Sequence, residues 1–165
     1  MCQNRDVDRA VLLAKYKGGF SAVEDALAGI AEAELDAEPG GGEWSPRMVV
    51  HHLADSEATA YVRLRRLIAE EQPIISGYDE VAFSQRLNYG RPIEPSLTVL
   101  QAVRASSWQL LESLDDHQWQ KTGTHSESGP YSVEAWLEIY ANHPYEHASQ
   151  IERARAAGGE QTGPE

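Results

Sequence analysis

Apolar residues recur every three or four positions in four stretches of this chain, the period of a helix with one buried face. The first stretch carries Leu12, Tyr16, Phe20, Val23, Leu27 and Ile30, is weakened by Gly18-Gly19, and closes before the breaker Pro39-Gly40-Gly41-Gly42. The second opens at Ser45-Pro46, an N-cap hydroxyl followed by a proline suited to the first helical turn, and carries Val49, Leu53, Ser56, Ala60, Leu64 and Leu67. The third starts near Pro95-Ser96 and repeats Leu97, Leu100, Arg104, Trp108, Leu111 and Leu114. The fourth follows Ser132 with Val133, Trp136, Tyr140, His143, His147, Ile151 and Ala154, and Gly158-Gly159 is expected to close it.

Between the second and third stretches lies a long segment, Pro73 to Pro95, with a short helix expected over Asp79 to Arg86. The Gly-, Ser- and Thr-rich segment Gln118 to Tyr131 reads as a loop or a small hairpin, and nothing in the pattern asks for a larger sheet. The expected fold is all-α: a four-helix bundle with a long crossover between its second and third helices. A length of 165 residues suits one domain, residues 1–165, with its core over about residues 7–158.

Charge narrows the partners. The 14 basic residues against 26 acidic ones give a net charge of −12, which repels phosphate backbones and anionic headgroups. Nucleic acid and membrane surfaces are not expected partners, and the small cluster Arg63, Arg65, Arg66 reads first as a solvated helix face. The polar opening MCQNRDVDRA lacks the apolar core of a signal peptide, so a cytoplasmic location is the expectation. Cys2 is the single cysteine, which excludes an intrachain disulfide and a thiolate metal site. Trp119 and Trp136 suit either the core or an interface, and a homodimer is a reasonable expectation for a bundle.

The candidate chemistry lies in the histidines. His143 and His147 stand four residues apart on the apolar stripe of the fourth helix, so both imidazoles point inward on one face. Buried imidazoles need partners, and two readings satisfy them: a shared metal ion, or hydrogen bonds to neighbouring core side chains. Of His51 and His52, successive residues 100° apart around the helix, His52 falls on the stripe and His51 nearer the edge, at the surface or in support of His52. His117 and His125 read as surface residues. Three imidazoles would leave a coordination position open, as a catalytic ion requires, and they suit zinc first and nickel second. The string His143-Pro144-Tyr145-Glu146-His147 also matches the inverted zinc-protease pattern with Glu146 as base, but Pro144 disturbs the helix that pattern needs.

Trp44-Ser45-Pro46, the run Val49 to Glu57 with His52-Leu53-Ala54-Asp55, Tyr78-Asp79-Glu80, and His143 with His147 and Gln150-Ile151 together resemble the DinB superfamily, and within it the YfiT-like subgroup. The resemblance spans about Leu12 to Ala157. It implies a four-helix bundle holding a divalent metal ion through His52, His143 and His147, and Pro144 is a departure from its usual pattern. It also implies a small-molecule substrate. Related families include transferases that join a low-molecular-weight thiol to an electrophile, whereas the subgroup's hydrolase name is a presumption from the metal site. Three activities follow as expectations: such a thiol S-transferase, a hydrolase using metal-activated water with Glu57 or Glu146 as base, or a metal-binding bundle without turnover.

Overall fold

A computed structural model describes the backbone of residues 2–160 and the side chains of residues 8–157, so the Cys2 thiol lies outside the described residues. Four long helices, α1 (Cys2–Leu27), α3 (Pro46–Ala69), α5 (Glu94–Glu112) and α7 (Val133–Glu160), form the bundle. Shorter elements join them: α2 (Glu32–Leu35), β1 (Ile74–Ile75), α4 (Glu80–Arg86), α6 (Asp116–Trp119), β2 (Thr122–His125) and β3 (Gly129–Ser132). Around the bundle α1 packs on α7, α7 on α3, α3 on α5 and α5 on α1. Chain neighbours α1 and α3 therefore sit across a diagonal, as do α5 and α7.

The ends of the helices follow local chemistry. Ser45 Oγ accepts a hydrogen bond from the Met48 amide, Asp79 from Ala82 and Ser132 from Ala135, so the starts of α3, α4 and α7 are capped by side chains. Two boundaries differ from the periodic reading. Ile30 lies beyond the end of α1, in a turn whose Gly29 has φ +68°, and Gly158-Gly159 lies inside the bounds of α7. The segment expected as a loop or hairpin is α6 followed by the β2–β3 hairpin. It gains a third strand, because the two residues of β1 pair in parallel with β2, Ile74 opposite Thr124. Two residues carry no readable period, and their pairing is a tertiary event.

The core has two apolar parts. One, beside the sheet, centres on Tyr16, Leu64, Leu67, Ile75, Trp119, Trp136 and Leu137; the other, towards α2, on Val23, Leu35, Val49, Leu53, Leu100 and Ile151. Both Trp119 and Trp136 are core residues, and the Trp136 indole N–H donates to Ala60 O at 3.0 Å. Between the two parts runs a buried polar band that includes His52, Ser56, Glu57, Arg104 and Ser107.

Candidate metal centre

His52 projects from α3, and His143 and His147 project one turn apart from α7. Their Nε2 atoms converge: His143 Nε2 lies 3.3 Å from that of His52 and 3.1 Å from that of His147. The three ligand atoms all lie within 4.8 Å of one another, the one such group of three or more among the described residues. Two bonds of about 2.0–2.1 Å to one ion, at angles between octahedral and tetrahedral, place their nitrogens roughly 2.9–3.4 Å apart. The two short separations fall in that range.

Protonation favours the same reading. Burial holds His52 and His143 down to about 3, with the neighbouring imidazoles adding to the effect, and burial also lowers His147. All three rings are therefore neutral near pH 7 and carry lone pairs. His147 Nδ1 donates to Gln150 Oε1 at 2.9 Å, which leaves its Nε2 unprotonated and aimed at the other two. Three imidazole edges facing one another can share a proton along only one edge, and His143 Nδ1 is buried without a partner. A divalent ion satisfies all three lone pairs, so the donor set fits one.

A cavity of about 270 Å³ opens on His143. Its inner wall is Ser56, Arg63, Tyr78, Tyr131 and Tyr140, and the exposed Glu80 and Glu127 stand towards its mouth. Arg63 donates to the Tyr140 hydroxyl at 3.1 Å and to Ser76 O at 2.8 Å. The residues of this wall come from α3, β3, α7 and the crossover. No single stretch of sequence groups them, which is why the periodic reading finds the inward histidines and misses the cavity.

Behind the histidines, a single guanidinium links all four long helices. Arg104 of α5 donates to the Glu57 carboxylate of α3, to Tyr16 O of α1 and to Tyr140 O of α7. The last bond has a sequence cause. Pro144 has no N–H to give Tyr140 O, its partner four residues earlier, and Arg104 supplies the missing donor at 3.1 Å. The Pro144 departure thus leaves intact the face of α7 that carries His143 and His147.

Several expected roles change with the structure. His51 is fully buried rather than peripheral: its Nδ1 lies 2.8 Å from Ser96 Oγ and its Nε2 2.9 Å from Arg91 O. Adjacent residues can both be buried here because α2, α4 and the crossover cover the sides of α3 that the bundle leaves open. Glu57, a candidate base, is 1% exposed and committed to Arg104; burial raises its pKa and Arg104 opposes the rise. Glu146, the other candidate and the base of the protease reading, is exposed. His117 is exposed as expected, whereas His125 lines the cavity, its ring 5.6 Å from that of Tyr131.

The sequence profile described as the DinB superfamily matches residues 16–151. The chain belongs to the DinB superfamily. Among DinB relatives, a protein of Oceanobacillus iheyensis named "putative metal-dependent hydrolase" is 39% identical over 118 residues, covering 72% of this chain and 69% of its own. A Bacillus mycoides protein of the same name is 31% identical over 130 residues, covering 79% and 75%. The solved structure of YfiT from Bacillus subtilis, described as "a probable metal-dependent hydrolase with an unusual four-helix bundle topology", superposes with a TM-score of 0.84. It is 28% identical and covers 91% of this chain and 87% of YfiT. The four-helix bundle with a long crossover that the periodicity predicts, and that the DinB resemblance implies, is the fold of this chain.

Proposed function

We propose that this chain is a metal-dependent enzyme in which His52, His143 and His147 hold a divalent ion, zinc before nickel, and that it joins a low-molecular-weight thiol to an electrophile. The convergence of three neutral imidazoles beside a cavity carries the metal site. When bound, the ion lowers the pKa of a nucleophile placed in its open position.

The state of the carboxylates favours a thiol as that nucleophile. Glu57 is held by Arg104 in the core, and Glu146 is exposed, so neither of the two nominated bases stands ready to take a proton from water. A free thiol ionises far more readily than water, so the thiol asks far less of a site whose two nominated bases do not stand ready. Gln150 orients His147, and burial keeps the three rings neutral until the ion arrives.

A second reading, hydrolysis, is favoured by the names of the relatives and uses the same residues. Zinc-loaded protein incubated with a small thiol and 1-chloro-2,4-dinitrobenzene separates the two. The expected result is thiol-dependent consumption of the electrophile above the uncatalysed rate, abolished in His147→Ala. Cleavage of simple esters without thiol, and no thiol-dependent turnover, would move the assignment to hydrolysis. Neither activity in a protein that retains its metal would leave a binding bundle.

A further inference from the structure

The cavity beside His143 is lined by a cation, the Arg63 guanidinium. Arg63 forms no ion pair among the described residues, although six other arginines of this chain do. Its guanidinium is fixed instead by neutral oxygens, the Tyr140 hydroxyl and Ser76 O, with the Tyr78 ring 5.8 Å away. Two polar atoms of this wall, Arg63 Nε and the Tyr78 hydroxyl, are buried without a well-formed hydrogen bond, Tyr78 having Ser56 as a polar neighbour. The Tyr140 hydroxyl oxygen receives the Arg63 N–H and shares a further hydrogen bond with Tyr131.

Buried donors without acceptors, grouped around a guanidinium that has no ion-pair partner among the described residues, are costly by themselves and favourable around an anion. The two acids towards the mouth, Glu80 and Glu127, limit how much negative charge the cavity accepts, which suits a carboxylate rather than a phosphate dianion. The volume of about 270 Å³ confines the ligand to a small molecule.

We propose that Arg63, assisted by the Tyr78 and Tyr140 hydroxyls, anchors a carboxylate of the substrate in this cavity while another group of the same molecule reaches the metal-binding edge of His143. The anchor makes Arg63 a specificity-determining residue, and it rests on the reading of His52, His143 and His147 as metal ligands.

Calorimetric titration of the zinc-loaded protein tests it with matched probes: mercaptoacetate, 3-mercaptopropionate and 4-mercaptobutyrate, each against the alcohol of the same length. At one chain length or more the carboxylate binds at least tenfold tighter than its alcohol. In Arg63→Gln that preference collapses while zinc content, melting temperature and affinity for the alcohol stay as in wild type. Arg63→Lys retains part of the preference, and Tyr78→Phe weakens the carboxylate alone. Equal affinities of acid and alcohol in wild type, or a preference that survives Arg63→Gln, overturn the proposal. A thiol-free pair, succinate against succinamide, separates this failure from that of the thiol reading. If no thiol binds but succinate binds in an Arg63-dependent way, the anchor stands and the thiol falls. If thiols bind whatever their charge and succinate ignores Arg63→Gln, the thiol stands and the anchor falls.

Discussion

His51 and His52 are adjacent, both buried, and do different work. His52 lends its Nε2 to the cluster, whereas His51 spends both ring nitrogens tying α3 to α5 at Ser96 and to the crossover at Arg91. Alanine at the two positions therefore separates stability from metal binding. His51→Ala leaves the buried Ser96 hydroxyl without its partner and the half-buried Arg91 carbonyl with only the Arg47 donor at 3.4 Å, and is expected to cost about 1–3 kcal/mol in denaturant unfolding, with bound metal still near one ion per chain. His52→Ala or His147→Ala is expected to abolish stoichiometric metal, measured by elemental analysis of protein purified without a histidine tag. Gln150 acts through His147 by accepting its Nδ1–H. Gln150→Ala is expected to weaken zinc affinity by about 10–100-fold in a competition titration, with little change in the melting temperature of the metal-free protein. Residue identity and spacing placed His52, His143 and His147 on inward helix faces beforehand. The burial of His51 was not legible, since its cover comes from segments distant in sequence.

The α1–α7 contact shows why two glycines stand in the middle of a helix. By helix propensity alone each glycine costs about 1 kcal/mol relative to alanine. A Cβ at Gly19 would stand 2.5 Å from Arg104 Nη2 and 3.0 Å from Pro144 Cγ, and one at Gly18 would stand 2.7 Å from the Tyr145 hydroxyl, which donates to Lys15 O at 3.2 Å. The glycines let α1 approach the turn of α7 that lies just beyond Tyr140 and carries Pro144. Gly19→Ala is thus expected to destabilise the protein in urea unfolding, against the sign that propensity predicts. Gly18→Ala is expected to cost less, because a tyrosine hydroxyl can swing aside more readily than a guanidinium bonded on three sides. A neutral or stabilising Gly19→Ala would show that the close approach is not required. The sequence marked Gly18-Gly19 as a weak point in α1; only the packed pair shows it as a seam.

At the scale of the whole molecule, the polar band between the two apolar parts makes stability depend on pH and on metal. His52 and His143 are held near 3 in the fold, against an ordinary value of 6.5, and His147 is lowered as well. Below pH 6.5 the unfolded chain takes up protons that the folded one refuses, so acid favours unfolding. The contribution of these groups is complete above the unfolded value and is lost as pH falls from 6.5 towards 3. Metal-free protein is therefore expected to melt at a steady temperature above pH 7 and at falling temperatures below 6.5, with a shallower decline in a His52→Ala/His143→Ala double variant. Zinc at one hundred times its dissociation constant is expected to stabilise the wild type by about 2.7 kcal/mol and to leave that variant unchanged.

The division between what was readable in the chain and what required the fold has a physical basis. Helical period, side-chain caps and the inward face of each helix are set by residues within a turn or two of one another. The four helices, the cap at Ser45 and the shared face of His143 and His147 could therefore be read directly. Convergence is a different kind of fact. His52 meets His143 across 91 residues of chain, and Arg104 reaches Tyr16 across 88. The two-residue strand β1 exists only because β2 lies beside it. The cavity around Arg63, the burial of His51 and the replacement of a missing helical hydrogen bond at Pro144 by Arg104 all depend on which helices become neighbours, and packing alone decides that.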